Sequence, residues 1–306
     1  MQTHKTIPAR FNLARHCLER NATSAPDKTA LLIVGDVENL AGAERWTYGA
    51  LDQTVRGVAA GLLDLGLEPG SRILLRVPNN IDYALLFFGA IAAGIVPIPV
   101  SALLTAEETA HLINDAEPAA IAVSGGLGAG TSGSALVLDD DAIAALKAFP
   151  PASYADTAAE DPAYMLYTSG TTRRPKGVVH AQRVALGRAP MHSEWEALGH
   201  NDIVLHAGAF NWSYTLGVGL LDPWSVGATA VLYTGPRDIT VWPRLIQAAG
   251  ATIFAAVPSL LRQILKYNAL GPEVFSALRH TLAAGEALSP ALLEQWQATT
   301  GRPVYE

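Results

Sequence analysis

Tyr167 to Gly177 reads YTSGTTRRPKG and follows directly on an apolar run. Thr168, Ser169, Thr171 and Thr172 bring hydroxyls to this stretch, Gly170 a bare backbone and Lys176 an ammonium. Backbone amides of a glycine-bearing turn converge on anionic oxygens, hydroxyls donate to them, and a lysine adds a point charge at the outer phosphates. The chemistry is phosphate binding. It is not that of a Walker loop, which ends in glycine-lysine-serine or glycine-lysine-threonine, because here the lysine precedes the glycine. Nor does Ser169 sit in the Gly-x-Ser-x-Gly elbow of a serine hydrolase, since Tyr167 holds the first glycine position. A lysine after a proline is ordinarily solvated, so the reading rests on the whole cluster and not on Lys176 alone.

Such a loop has to be held at a strand end, and Ala163–Thr168 is the candidate strand. Upstream, Thr47–Gly66 places Leu51, Val55, Val58, Leu62 and Leu63 on one helical face and ends in glycine, after which Arg72–Val77 reads as a strand. Thr105–Glu117 opens with Thr-Ala-Glu-Glu, in which Thr105 and Glu108 suit a capping box, and the short strand Ala119–Val123 follows. Downstream, Asp202–Leu205, Ala228–Tyr233, Thr252–Ala256 and Arg279–Ala283 read as buried strands. Ser289 and Pro290 suit the start of a helix ending near Thr300. The alternation predicts an α/β fold of largely parallel sheets covered by helices, with ligands at the carboxyl ends of the strands.

Composition removes several classes of function. Half of the 306 residues are hydrophobic and 16% are charged, which is the composition of a folded protein with a large core. The 21 basic residues are scattered and the net charge is −7, so no nucleic-acid partner is expected. The single cysteine, Cys17, cannot close an internal disulfide, and MQTHKTIPAR has no signal-peptide core, so a cytoplasmic location is expected. Tyr83–Thr105 is uncharged and long enough to imitate a membrane span. Pro97 and Pro99 break it, and the reading is a buried helix, Asp82–Gly94, followed by a buried strand, Ile95–Val100. GAGTSG, within Ser124–Ala135, formally matches the dinucleotide fingerprint but has loop on both sides, with ALVLDDD beyond it reading as another strand. His192, His200 and His206 lack the spacing of paired ligands on one helix, so no metal site is expected from them.

YTSGTTRRPKGVVH resembles the phosphate-binding signature of the AMP-forming acyl-adenylating superfamily, with the hydroxyl run, proline, lysine and final glycine in register. LFFGAIAAGIVPIPV resembles that family's helix and strand before the loop, and AAGEALSP its adenine-contacting segment. With FNWSYTLGVGLLDPWSVGATAVL, these look most like benzoate-type CoA ligases. The resemblance implies the stacked, helix-covered sheets of the family's large N-terminal domain, without its β-barrel subdomain and C-terminal domain, so the chain is expected to be an N-terminal fragment. Residues 70–185 would form the phosphate-loop subdomain, and 1–69 together with 186–306 a second α/β subdomain. Arg173 stands where the family usually has glycine, which implies either a reshaped loop or an extra cation near phosphate.

The activity implied is activation of an aromatic or medium-length apolar carboxylic acid by ATP to an acyl-adenylate, followed by thioester formation with CoA, with Mg²⁺ accompanying ATP. Thr168, Ser169, Gly170, Thr171, Thr172 and Lys176 would bind the ATP phosphates. Gly285, Glu286 and Ala287 would lie beside adenine and the acyl-adenylate, and Phe210, Trp212, Ser213 and Tyr214 would line the acyl pocket. An aromatic run of this kind also serves as ordinary core packing. No catalytic or metal-binding residue is expected within the 306, and the fragment alone is expected to be inactive. Two alternatives stay open: a non-catalytic nucleotide-binding module, and an adenylating enzyme that delivers to an acceptor other than CoA.

Overall fold

The computed structural model describes residues 7–129, 133–168, 175–268 and 271–306. In chain order its strands are β1 (Thr29–Val34), β2 (Glu44–Thr47), β3 (Arg72–Arg76), β4 (Val96–Pro99), β5 (Ala120–Val123), β6 (Leu136–Leu138) and β7 (Pro162–Thr168). They continue with β8 (Lys176–Ala181), β9 (Ile203–His206), β10 (Thr229–Tyr233), β11 (Ile253–Ala256), β12 (His280–Ala283) and β13 (Val304–Tyr305). Only two of their pairings are antiparallel, β1 with β2 and β7 with β8. The rest are parallel, as the alternating pattern requires, and no closed barrel occurs among the described residues.

The chain divides into two compact units, one of residues 1–27 and 48–188, the other of 28–47 and 189–306. This differs from the expected division, which put all of 1–69 with the C-terminal part. The helices Leu13–Ser24 and Tyr48–Asp64 belong instead to the first unit, because both pack against the helix Ile81–Ala92. An apolar helical face shows in sequence that a helix is buried, but not against which partner.

In the first unit the sheet runs β4-β3-β5-β6, all parallel. The uncharged stretch that imitates a membrane span is the helix Ile81–Ala92 followed by β4, and no described helix is long and apolar enough to cross a membrane. Both prolines of β4 sit on an edge strand and alternate with the residues that donate to β3: Val96 N bonds Ser71 O and Val100 N bonds Leu75 O. Pro97 and Pro99 therefore cost the sheet no hydrogen bond. Asn80 caps the helix through Tyr83 N. The capping box of the helix Ala106–Ala116 forms in both directions, Glu108 N to Thr105 Oγ1 at 3.2 Å and Thr105 N to Glu108 Oε2 at 2.8 Å. Of ALVLDDD only Leu136–Leu138 is strand. Asp139 caps the helix Asp140–Leu146 through Ala142 N, so the acids favour a helix N-terminus instead of extending β6. Residues 133–135 lead into β6 and not into a helix, so the glycine stretch lacks the fingerprint's context; residues 130–132 lie outside the described residues.

In the second unit the sheet runs β13-β12-β11-β9-β10-β1-β2. One face packs Phe254, Phe275 and Trp296 into a continuous apolar cluster. Trp224 is fully buried and its indole N–H donates to Ala30 O at 2.9 Å, so it brings its polar group to a partner inside the core. Ser289 caps the helix Pro290–Thr300 through Leu292 N. At the amino ends of β9, β11 and β12 one carboxylate ties three strands together. Asp202 accepts from Gly199 N at 2.7 Å, from Thr252 Oγ1 at 2.7 Å and from Arg279 Nη2 at 2.8 Å.

Two substitutions test this packing. A Cβ at Gly89 would stand 2.5 Å from Val58 Cγ1, so Gly89→Val is expected to destabilise the first unit by about 1–3 kcal/mol in urea unfolding. Asp202→Ala strips three donors of one acceptor. An expected loss of about 2–3 kcal/mol, discounted because the Arg279 side chain is 46% exposed, is to be read from the shift in urea midpoint at unchanged slope. A midpoint equal to wild type would remove the carboxylate from the strand tie.

Candidate active site

The phosphate-type stretch is the tip of a hairpin. β7 rises to Thr168 and β8 returns from Lys176, and these two residues are direct partners in the antiparallel ladder. Lys176 and Gly177, expected in the loop, thus open a returning strand that sequence reasoning missed. Its run KGVVHA is short and, up to Val179, exposed, so it has no buried face to announce it. Thr168 and Lys176 are exposed side by side at the mouth of the tip. Ser169, Gly170, Thr171 and Thr172, together with Arg173, lie outside the described residues. Below the mouth the strands close tightly, and a Cβ on Gly177 would stand 2.0 Å from Met165 Cε, so only glycine fits opposite that side chain.

The hairpin is anchored through its other side chains. Tyr167 donates to Asp115 Oδ2 at 2.6 Å, and burial together with this bond pushes its phenol up, so it stays protonated. Tyr164 stacks on His180 with ring centroids 4.5 Å apart, and burial, with Arg188 nearby, holds that imidazole below its ordinary pKa. Both are neutral supports. The cation at the mouth is contributed by Lys176.

In the second unit the segment after β9 carries the aromatic candidates. Phe210 is buried at 3% exposure, while Trp212, 57% exposed, and Ser213 face solvent. Tyr214 lies between these extremes. Its hydroxyl donates to Leu282 O at 3.1 Å, which ties the segment to β12. Three residues beyond Leu282 lies Gly285, whose φ of 89° belongs to the left-handed region. Gly285, Glu286 and Ala287 are exposed on the turn after β12. Glu286 accepts from Ser259 N at 2.9 Å and from Ser259 Oγ at 2.8 Å, so its carboxylate caps the helix Pro258–Tyr267, which has no cap of its own. The structure thus joins Tyr214 to β12 and Glu286 to the end of β11, with both contacts at the carboxyl edge of the sheet.

His206, at the end of β9, is part of this arrangement. Its ring meets Tyr214 edge-on at 4.5 Å, and complete burial pushes its pKa down to about 3, so the imidazole is neutral. Neither ring nitrogen of His206 has a hydrogen-bond partner, and neither has the buried hydroxyl Thr215 Oγ1. Both side chains border the position where a Cβ of Gly208 would stand, Thr215 Oγ1 at 2.2 Å and His206 Nδ1 at 3.2 Å. Three unmatched polar atoms beside an aromatic residue make a place for a polar atom of a ligand or for a water. The sequence signal was the histidine closing a buried strand. Burial of Tyr214, with the charge of Glu196, raises the phenol's pKa and keeps it a donor.

Residues 18–306 match the AMP-binding enzyme family. The benzoate–CoA ligase of Thauera aromatica is 32% identical over 318 residues, covering 98% of this chain and 59% of that protein. A 4-hydroxybenzoate–CoA/benzoate–CoA ligase of Rhodopseudomonas palustris is 30% identical over 285 residues, covering 84% of this chain and 51% of that protein. The chain therefore spans little more than half the length of these relatives. Among solved structures, a benzoate CoA ligase from Burkholderia xenovorans superposes with a TM-score of 0.84 at 30% identity, over 96% of this chain and 60% of that one. An acyl-CoA synthetase from Brucella canis shares the fold with a TM-score of 0.87 at 20% identity, over 98% of this chain and 57% of that one. By sequence match and by fold, the chain belongs to the AMP-binding enzyme family.

Proposed function

We propose that this chain carries the acid-activating part of an AMP-forming aryl- or acyl-CoA ligase. A carboxylate oxygen of the acid attacks the α-phosphorus of ATP, the bond to the β-phosphate oxygen breaks, and pyrophosphate leaves with its electron pair. The thiolate of CoA then attacks the acyl carbonyl and AMP departs, leaving the thioester. Catalysis of the first step is largely charge management between two anions, so donors fixed at the departing phosphates lower the barrier. The observation that carries the reading is the facing pair of Thr168 and Lys176 at the mouth of a hairpin whose tip holds the hydroxyl run.

Thr168 and Lys176, with Ser169, Gly170, Thr171 and Thr172 of the tip, would hold the outer phosphates. The described donors here, a hydroxyl and an ammonium, suit phosphate oxygens and do not suit Mg²⁺, which takes oxygen ligands in octahedral order. Gly285 to Ala287 would flank the adenylate. The capping bond of Glu286 to Ser259 gives that turn a fixed place, so its contribution would come through backbone and position more than through a free carboxylate.

Tyr214, with His206 behind it, would form the wall of the acyl pocket, and Trp212 its rim. The aromatic character of this wall, and relatives named for benzoate and hydroxybenzoate, support an aromatic acid over a small hydrophilic one.

Two measurements on the full-length protein test this reading. Lys176→Ala removes a charge-assisted contact and is expected to raise the Kd for ATP by about tenfold or more, measured by isothermal titration. Unchanged affinity would take Lys176 out of the site. Trp212→Ala is expected to alter relative kcat/KM across a panel of aromatic, medium-chain and short hydrophilic acids while leaving the KM for ATP near wild type; Tyr214→Phe, which keeps the ring, should alter the ranking less. Equal effects on every acid would count against a pocket role.

A further inference from the structure

His192, Glu196 and Asp222 form a buried cluster in the second unit, in which one ligand atom from each residue lies within 4.8 Å of the others. His192 Nε2 stands 3.1 Å from Asp222 Oδ1, with side-chain exposures of 12% and 1%, and Glu196 is 1% exposed. Each is placed by a separate local device. His192 sits in the last turn of the helix Val184–Glu194. Glu196 follows that helix end, where the backbone is pinned twice: His280 Nε2 donates to Glu196 O at 2.8 Å, and Arg279 Nη2 to the carbonyl of Ala197 at 2.7 Å. Asp222 opens the helix Asp222–Val226 directly after the π-helical turn Gly217–Leu221, a kind of turn that recurs at functional sites.

The charges of this cluster do not balance by themselves. Two carboxylates and one imidazole, all withdrawn from water, leave a buried net charge of −1 even when the imidazole is protonated. Arg279 is close by, but its guanidinium is committed to Asp202. A divalent cation would neutralise both carboxylates while taking the lone pair of a neutral imidazole. The spacing suits one, because ligand atoms roughly 2.0–2.2 Å from a small ion lie about 3.0–3.6 Å from each other. The 3.1 Å between His192 and Asp222 falls in that range, and Glu196 is within a side-chain adjustment of it.

We propose that His192, Glu196 and Asp222 bind a divalent transition-metal ion of the Zn²⁺ class. One imidazole with two carboxylates favours zinc over Mg²⁺, which retains its waters and is rarely held by imidazole. The ion would tie the end of the helix Val184–Glu194 to the start of Asp222–Val226, a structural role. Its ligands come from segments whose sequence spacing forms no known motif, which is why the histidines carried no metal signal when read alone.

The test uses the full-length protein without nucleotide or acid, so its outcome is independent of the ligase reading. After equilibration with Zn²⁺ and gel filtration, elemental analysis should find about one zinc per chain, with chelation lowering Tm. Asp222→Asn and His192→Gln should each weaken zinc binding by at least about tenfold. Because either variant could fold poorly, Co²⁺ is also bound to the wild type, where its visible absorption and X-ray absorption spectrum should report one imidazole among oxygen ligands. Less than about 0.1 zinc per chain at micromolar free ion would overturn the proposal, as would folded variants with wild-type affinity, or a Co²⁺ spectrum with no imidazole.

Discussion

The strand register set at Asp202 governs everything built on the second unit's sheet. Its carboxylate holds the amino ends of β9, β11 and β12 level through Gly199, Thr252 and Arg279. Parallel strands rise by a fixed step per residue, so strands level at one edge deliver their last residues to the other edge in step. His206, Ala256 and Ala283 are those last residues, and Tyr214, Ser259 and Glu286 are attached just beyond them. A charged interaction at one edge thereby sets the alignment of uncharged groups at the other.

Burial decides the chemical character of that second edge. His206 has lost its proton affinity and Tyr214 holds its proton more tightly, so near neutral pH the pair offers donors and acceptors without net charge. Such a wall can discriminate by shape and by hydrogen bonding. The ammonium of Lys176, by contrast, stands in water at the mouth of the hairpin, where anionic oxygens can reach it without first displacing packed side chains. Hard charge is kept where solvent reaches it, and the polar groups inside are neutral or compensated.

What could be read from the sequence follows the range of the forces involved. The capping box of Thr105 and Glu108, the cap at Ser289 and the buried parallel strands are decided within a few residues, and they appear where local patterns put them. The returning strand Lys176–Ala181 exists because β7 is beside it, and nothing in KGVVHA alone specifies that partner. The allocation of Tyr48–Asp64 to the first unit depends on the fit of Val58 against Gly89, a contact between residues 31 positions apart. His192 and Asp222 are 30 positions apart and meet only once a π turn has formed. Spacing rules see ligands on one helix and miss those brought together by two.

β1 gives the chain a problem of timing. Thr29–Val34 is an apolar strand that lies between β2 and β10 in the finished sheet, and Trp224 bonds its backbone at Ala30. Its parallel neighbour begins at Thr229, so during synthesis at roughly 5–20 residues per second the strand waits on the order of 10–40 s for that partner. Throughout that interval only β2, a four-residue strand with exposed ends, can cover one of its edges. The intervening 48–188 meanwhile completes the other unit. A nascent TALLIV edge of this kind is a substrate for chaperones and a seed for aggregation, so the yield of this protein in a cell is set by how well one early strand is shielded until the chain is two-thirds made.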